Sequence, residues 1–284
     1  MPSAIDSALP EAEREAAIDA RAGHGATFVG MTEHVRVTRD DGVLQLVLAR
    51  PEKKNALTGA MYGALASALE SANADDSVRA ILLCADGELF CAGNDIGEFA
   101  QAAMTKSAPP NVERFLFALA GAQKPVVAAV QGRAVGVGTT MLLHCDYVVV
   151  SESALLSAPF VGLALVPEAA SSLLLPARIG HARAFSMFVL GETVDAQKAV
   201  EWGLANQRVP DASLRAVAAT IARKIADLPV GAVMTTKRLM RDEAAVRDRI
   251  AVEGASFVER LASDEAREAF TAFAERRPPV FRKG

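Results

Sequence analysis

Cysteine is scarce in this chain, charge of either sign is nearly balanced, and long apolar runs are absent. The three cysteines in 284 residues, Cys84, Cys91 and Cys145, form no CxxC pair and are too few for a disulfide framework. Each sits in an apolar stretch, where a free thiol behaves as a small buried hydrophobe, so a reducing, cytoplasmic setting is the expectation. The formal net charge is −4, with 30 Lys and Arg against 34 Asp and Glu. A binder of nucleic acid or of an anionic membrane surface would need a basic surplus to neutralise phosphates, and there is none. No segment approaches the ~18 apolar residues of a membrane span. Val126–Val130 is short, and His144 and Asp146 interrupt Met141–Val150. The histidines His24, His34, His144 and His181 show no metal spacing, so no metal site is expected; His144 reads as a hydrogen-bonded core residue. The GxxxxGK(S/T), GxSxG and HExxH signatures are all missing.

What is present divides into three parts. Residues 1–30 carry a net −3, leaving −1 for the rest, and they lack both the basic start and the apolar run of a secretory signal. This acidic extension is read as dispensable, with the compact domain opening near Glu33. Residues 31–228 alternate strands and helices. Val43–Leu48, Val78–Cys84, Val126–Val130 and Tyr147–Val150 are apolar runs of buried-strand type. Thr58 is placed to cap a helix whose apolar positions Met61, Leu65, Ala68, Leu69 and Ala72 recur at helical spacing. A short helix is expected over 140–145. Beyond Pro176 the pattern turns helical: His181–Leu190 closed by Gly191, Ala196–Trp202 closed by Gly203, then three longer segments. Strands interleaved with helices, followed by helices alone, predict an α/β core with an appended helical region over 229–284. That tail carries Phe257, Leu261, Phe270 and Phe273, more apolar surface than a lone tail can bury, and this predicts self-association.

Two glycine-bearing turns each follow an apolar strand and lead into a helix: Phe90–Ile96 and Gly132–Gly138. The second lacks the full dinucleotide fingerprint, since Met141 stands at the third glycine's position. Two such turns can aim backbone N–H groups, helped by a helix N-terminus, at one oxygen and so hold an enolate. As residues alone they read first as ordinary strand-to-helix turns.

Taken together, Arg50–Leu57 (RPEKKNAL), Phe90–Ile96, Gly132–Asp146 and Gly191–Gly203 resemble the crotonase (enoyl-CoA hydratase/isomerase) superfamily over about residues 33–284. The resemblance implies a spiral of ββα units, acyl-CoA thioester substrates, no cofactor beyond the CoA moiety, and C-terminal helices that build homotrimers or hexamers (dimers of trimers). It places the oxyanion-hole donors at the backbone N–H groups of Asn94 and Val137, the latter where the family usually has glycine. It assigns the grip on CoA to Lys53, Lys54, Ala56 and Leu57 and to the loop residues Ala92, Asp95 and Ile96. Gly97 stands where relatives often carry Lys or Arg.

The family's hydratases ionise a water with two glutamates, and those positions here hold Thr140 and Phe160. The segment Pro159–Ser172 instead resembles peroxisomal-type Δ3,Δ2-enoyl-CoA isomerases, whose catalytic glutamate matches Glu168, with Ala169 in place of their glycine. Such an isomerase needs one carboxylate to move a proton from C2 to C4 while the two N–H donors hold the dienolate. Phe160, Leu163 and Leu165 are expected to raise that acid's pKa. Without the resemblance, Glu168 reads as the first-turn acid of a helix starting after Pro167. Asp95 reads as a helix cap and Asp146 as a structural acid. The acyl pocket is expected from residues 97–120, with Met104, Phe115, Leu116 and Leu119 as candidates under a lid at 108–111. A hydratase with a non-standard site and a catalytically silent acyl-CoA-binding subunit are the alternatives. The low aromatic content, 5%, suits a site built on main-chain donors and one carboxylate.

Overall fold

The computed structural model describes residues 27–32, 34–99 and 111–281, the first six through the backbone. β1 (Thr27–Thr32), β2 (Val35–Asp40) and β3 (Val43–Leu48) form an antiparallel meander. The β2–β3 turn is Asp41-Gly42, both at positive φ (45° and 78°), the two-residue turn whose twist matches that of the strands it joins. Because β1 pairs with β2, the expected boundary near residue 31 falls inside a strand. The acidic stretch 1–26 lies outside the described residues.

From β3 onward the sheet is parallel. α1 (Gly59–Ala74) leads to β4 (Ala80–Ala85), α2 (Val112–Ala120) to β5 (Val126–Val130), and β7 (Tyr147–Ser151) and β10 (Gln207–Val209) complete the order β1-β2-β3-β4-β5-β7-β10. β6 (Arg133–Val135), β8 (Leu155–Ser157) and β9 (Val194–Asp195) make a second, three-stranded sheet. β4 and β5 are buried along their whole length, as expected for strands covered on both faces. Alternate residues feed two cores. Leu46, Ile81, Leu83 and Ala128 pack with Met61, Leu65 and Leu69 of α1. Val47, Leu82, Val127 and Val149 pack with Leu214, Ala218 and Ala222 of a helix on the opposite side. The side chain of Thr58 caps α1, accepting from Met61 N at 3.2 Å. All three cysteines are free and buried.

The later helices depart from the expectations in detail. α3 (Val137–Thr140) starts three residues before the expected 140–145 helix and passes into a 3₁₀ turn, Met141–His144. α4 (Ser171–Ile179) contains Pro176, so the helical part begins before that proline. α5 (His181–Phe185) continues as a π turn, Ser186–Leu190, closed by Gly191 at φ 68°. α6 (Ala196–Glu201) ends at Trp202 and Gly203. Four longer helices follow where three were expected: α7 (Leu214–Ala226), α8 (Val230–Met240), α9 (Glu243–Leu261) and α10 (Asp264–Ala274). The premise for self-association also changes. Leu261 and Phe270 are buried within the chain, and Phe257 is half-buried in an edge-on contact with Phe99, leaving only Phe273 of that set well exposed. Other apolar side chains are exposed instead, Leu239 at 80% and Met240 at 82%. Among the described residues no helix is long and apolar enough to cross a membrane.

Candidate active site

The two glycine turns are held against each other by main-chain bonds. Phe90 N donates to Gln131 O (2.9 Å), Cys91 N to Arg133 O (3.1 Å) and Val135 N to Cys91 O (2.9 Å). The approach is so close that a Cβ on Gly138 would fall 2.7 Å from Cys91 O and 2.9 Å from Cys91 Cβ. Gly136, at φ 55° and ψ −120°, turns the chain into α3. Val137 is then the first residue of that helix, and its N–H is one of the donors that a helix start leaves without an intrahelical partner. Neither Val137 N nor Asn94 N donates to a backbone acceptor among the described residues. The Val137 side chain is packed in the core, whereas Asn94 lines the cavity and accepts from the Tyr62 hydroxyl.

The segment carrying Lys53, Lys54, Ala56 and Leu57 is zipped onto the first of these turns. Ala92 N donates to Lys54 O (3.0 Å), Leu57 N to Gly93 O (2.8 Å) and Asp95 N to Leu57 O (2.9 Å). Lys53 and Lys54 are exposed beside it. Two scaffold residues had no role in the sequence reading. Asn55, fully buried, donates to the carbonyls of Asp86 and Leu89, and Arg50 pairs with Asp95 at 2.8 Å. Asp95 also caps the following turn, accepting from Gly97 N and Glu98 N. Ile96 packs on the core. Asp146 is structural as expected, accepting from Val126 N and Lys237 Nζ (both 2.7 Å).

One turn along α3, the Thr140 hydroxyl donates to Glu168 Oε1 at 2.6 Å. The position where a hydratase acid would stand thus touches the surviving acid through a hydroxyl. Glu168 is not a first-turn helical residue: α4 begins at Ser171, after Ala169 and Ala170 turn the chain through left-handed conformations (φ 63° and 54°). That turn is pinned by His144, whose Nε2 lies 2.7 Å from Ala169 O, while Arg241 donates to Nδ1. Since Arg241 can only donate, Nε2 carries the proton and donates to the carbonyl. Burial first, and then the charge of Arg241, pushes His144 down to about 3. Burial pushes Glu168 up to about 7, opposed by the Thr140 hydrogen bond and reinforced by the charge of Glu253.

Glu168, Asn94 and Ala169 open on a cavity of about 480 Å³, lined otherwise by Phe99, Val112, Glu113 and Leu116 and by α9 residues from Ile250 to Val258. Of the expected pocket residues, Leu116 lines it, Phe115 and Leu119 are core, and Met104 and the segment 101–110 lie outside the described residues. Phe160, Leu163 and Leu165 do not line it; Phe160 packs on Phe188 instead. Much of the apolar wall comes from α9. The sequence pattern assigned Phe257 to an outer surface because helical spacing does not say which partner a face meets.

The model of the family described as Enoyl-CoA hydratase/isomerase matches residues 38–284. The chain is 35% identical over 246 residues to "Enoyl-CoA hydratase ACTT3" of Alternaria alternata, covering 85% of this chain and 83% of that protein. It is 34% identical over 260 residues to "1,2-epoxyphenylacetyl-CoA isomerase" of Escherichia coli, covering 88% and 99%. Among solved structures, an enoyl-CoA hydratase/isomerase from Pseudoalteromonas atlantica superposes with a TM-score of 0.83 at 44% identity, covering 88% of this chain and all of that one. Two joined glycine turns, a buried acid facing them and a family match over most of the chain agree, and the protein belongs to the enoyl-CoA hydratase/isomerase family of the crotonase superfamily.

Proposed function

We propose that this enzyme isomerises 3-enoyl-CoA thioesters to 2-enoyl-CoA thioesters, with Glu168 as the single proton shuttle. The observation that carries the reading is Glu168 itself: among the described residues, the only buried carboxylate lining a mostly apolar cavity, with its proton affinity raised to about 7. In this reading Glu168 takes a proton from C2 and returns it at C4. The N–H groups of Asn94 and Val137 hold the thioester oxygen as it gains charge. A base poised near neutral pH gives and takes the proton with little driving force lost in either direction. Lys53 and Lys54 suit the CoA phosphates, and the main chain of Ala56, Leu57, Ala92, Asp95 and Ile96 suits the remainder of the CoA. No cofactor beyond the CoA moiety enters the reaction. The chain is proposed to work as a homotrimer or a dimer of trimers.

Glu168→Gln tests the assignment: conversion of 3-enoyl-CoA to 2-enoyl-CoA should fall by roughly 10²–10⁴-fold, the range expected for loss of a general acid–base group. Unchanged conversion sinks it. Hydration is a second reading, favoured by the names of relatives such as the E. coli "2,3-dehydroadipyl-CoA hydratase", 31% identical over 248 residues. Crotonyl-CoA hydration that survives Glu168→Gln would support it, and CoA-ester binding without turnover would support a silent binder.

A further inference from the structure

α9 carries an acid that the proposed reaction does not use. Glu253 is 6% exposed and sits among the α9 residues that wall the cavity without lining it. Its Oε1 accepts from Ser172 N, in the first turn of α4, at 2.8 Å. α4 has no cap of its own, because its N-cap residue is Ala170, in a left-handed conformation. A carboxylate from another element therefore does the work of a capping Ser or Asp, where the helix start favours negative charge.

Capping explains only half of the carboxylate. Oε2 is buried with no hydrogen-bond partner among the described residues, and so is the neighbouring Ser171 hydroxyl. An unsatisfied buried polar group costs ~1–3 kcal/mol, and a glutamine would also cap α4 through one oxygen, without the charge that the helix start favours. Ser171 N donates to Glu168 O at 3.1 Å, so whatever fixes the start of α4 fixes the backbone of Glu168.

The groups facing Glu168 are Thr140 from α3, Tyr62 from α1, Cys91 from the first glycine turn and Glu253 from α9, with exposed Glu113 at the cavity rim. Glu253 itself faces the start of α4 and, on its own helix, Arg249. Among the described residues no Lys or Arg lines the cavity. A charged carboxylate at Glu253 favours the proton on Glu168.

We propose that Glu253 is a positioning residue of this site: it pins α9, the cavity wall, to the turn that carries Glu168 and sets a second negative charge beside that carboxylate. It rests on the reading of Glu168 as the proton shuttle. The directions agree, since burial raises Glu253 and the charge of Glu253 adds to the rise of Glu168.

The test is a carboxyl NMR titration of protein labelled at glutamate Cδ, with the Glu168 signal assigned by its loss in Glu168→Gln. Glu253→Gln keeps the acceptor for Ser172 N and removes the charge. It should lower the Glu168 midpoint by about half a pH unit to one pH unit. An unchanged midpoint overturns the proposal. The acid limb of kcat/KM for 3-enoyl-CoA should move by the same amount. If the NMR midpoint moves and the kinetic limb does not, the shuttle assignment fails and the coupling stands. Glu253→Ala, which also loses the pin, should raise KM by about 10-fold, against less than about 2-fold for Glu253→Gln, and equal KM values overturn the pinning role. Should both variants fail to fold, the Glu253 signal of the unaltered protein decides: a midpoint below that of Glu168 keeps Glu253 charged while Glu168 titrates and supports the proposal, and one above it overturns it.

Discussion

The Glu168 carboxyl is placed against its own ionisation, and this has a measurable consequence for stability. Its proton affinity in the folded chain corresponds to about 7, against 4.5 for an ordinary glutamate. Between those two pH values the folded state holds a proton that the unfolded chain has released, so stability falls as pH rises through the window. Removing the ionisable group should remove that loss. Glu168→Gln is therefore expected to be more stable than the unaltered protein by up to about 3 kcal/mol at pH 8, with the difference vanishing near pH 4. Urea denaturation at the two pH values measures it, and a variant no more stable at pH 8 would mean that Glu168 ionises normally. Thr140 works in the opposite direction, because its hydroxyl donates to the charged form. Thr140→Val should raise the Glu168 midpoint and shift the acid limb of kcat/KM upward by about one pH unit, which a pH–rate profile would show.

At the level of elements, the site depends on two loops touching through their main chains. Gly138 is the contact point, and a Cβ there has no room because the nearest obstacle is the Cys91 backbone oxygen, with the Cys91 side chain close beside it. Gly138→Ala must therefore push α3 away from the Phe90–Ile96 turn. The expected cost is about 1–3 kcal/mol of stability, with a fall in kcat of at least about 10-fold as the two proposed N–H donors separate. Thermal denaturation and steady-state kinetics on one preparation test both. Wild-type kcat in a folded variant would show that the two donors do not act together. α9 matters equally at this scale. It supplies the cavity wall through Ile250, Ala251, Gly254, Ala255, Phe257 and Val258, and its own helical spacing gives no sign of that destination.

At the scale of the molecule, the sheets and helices leave apolar side chains facing outward in several places. Leu190 on the π turn is 75% exposed, Leu239 and Met240 at the end of α8 are 80% and 82% exposed, and Phe273 of α10 is 56% exposed. Large apolar residues exposed to this degree fit burial against further copies of the chain. Light scattering at micromolar concentration should return three or six times the 29.8 kDa chain mass, and a monomer mass would contradict the proposed assembly.

Much of the strand framework was legible in the sequence. Val43–Leu48 and Val126–Val130 are strands with the expected ends, because apolar β-branched runs buried on both faces leave little alternative. Thr58 was legible as a cap, and Gly191 and Gly203 as helix ends, since each acts through its own backbone neighbourhood. The glycine turns and Glu168 could be picked out as candidate positions. What the sequence could not contain was their meeting. Thr140 reaches Glu168 across 28 residues, His144 reaches Ala169 across 25, and Glu253 reaches the start of α4 across 81. Local propensity governs contacts within a turn or two, whereas these depend on which faces the packed sheets and helices bring together. The residues themselves determined strands and caps; the tertiary structure alone decided that Glu168 is buried, held by a threonine and set in a cavity walled by a distant helix, because burial is a property of the packed chain.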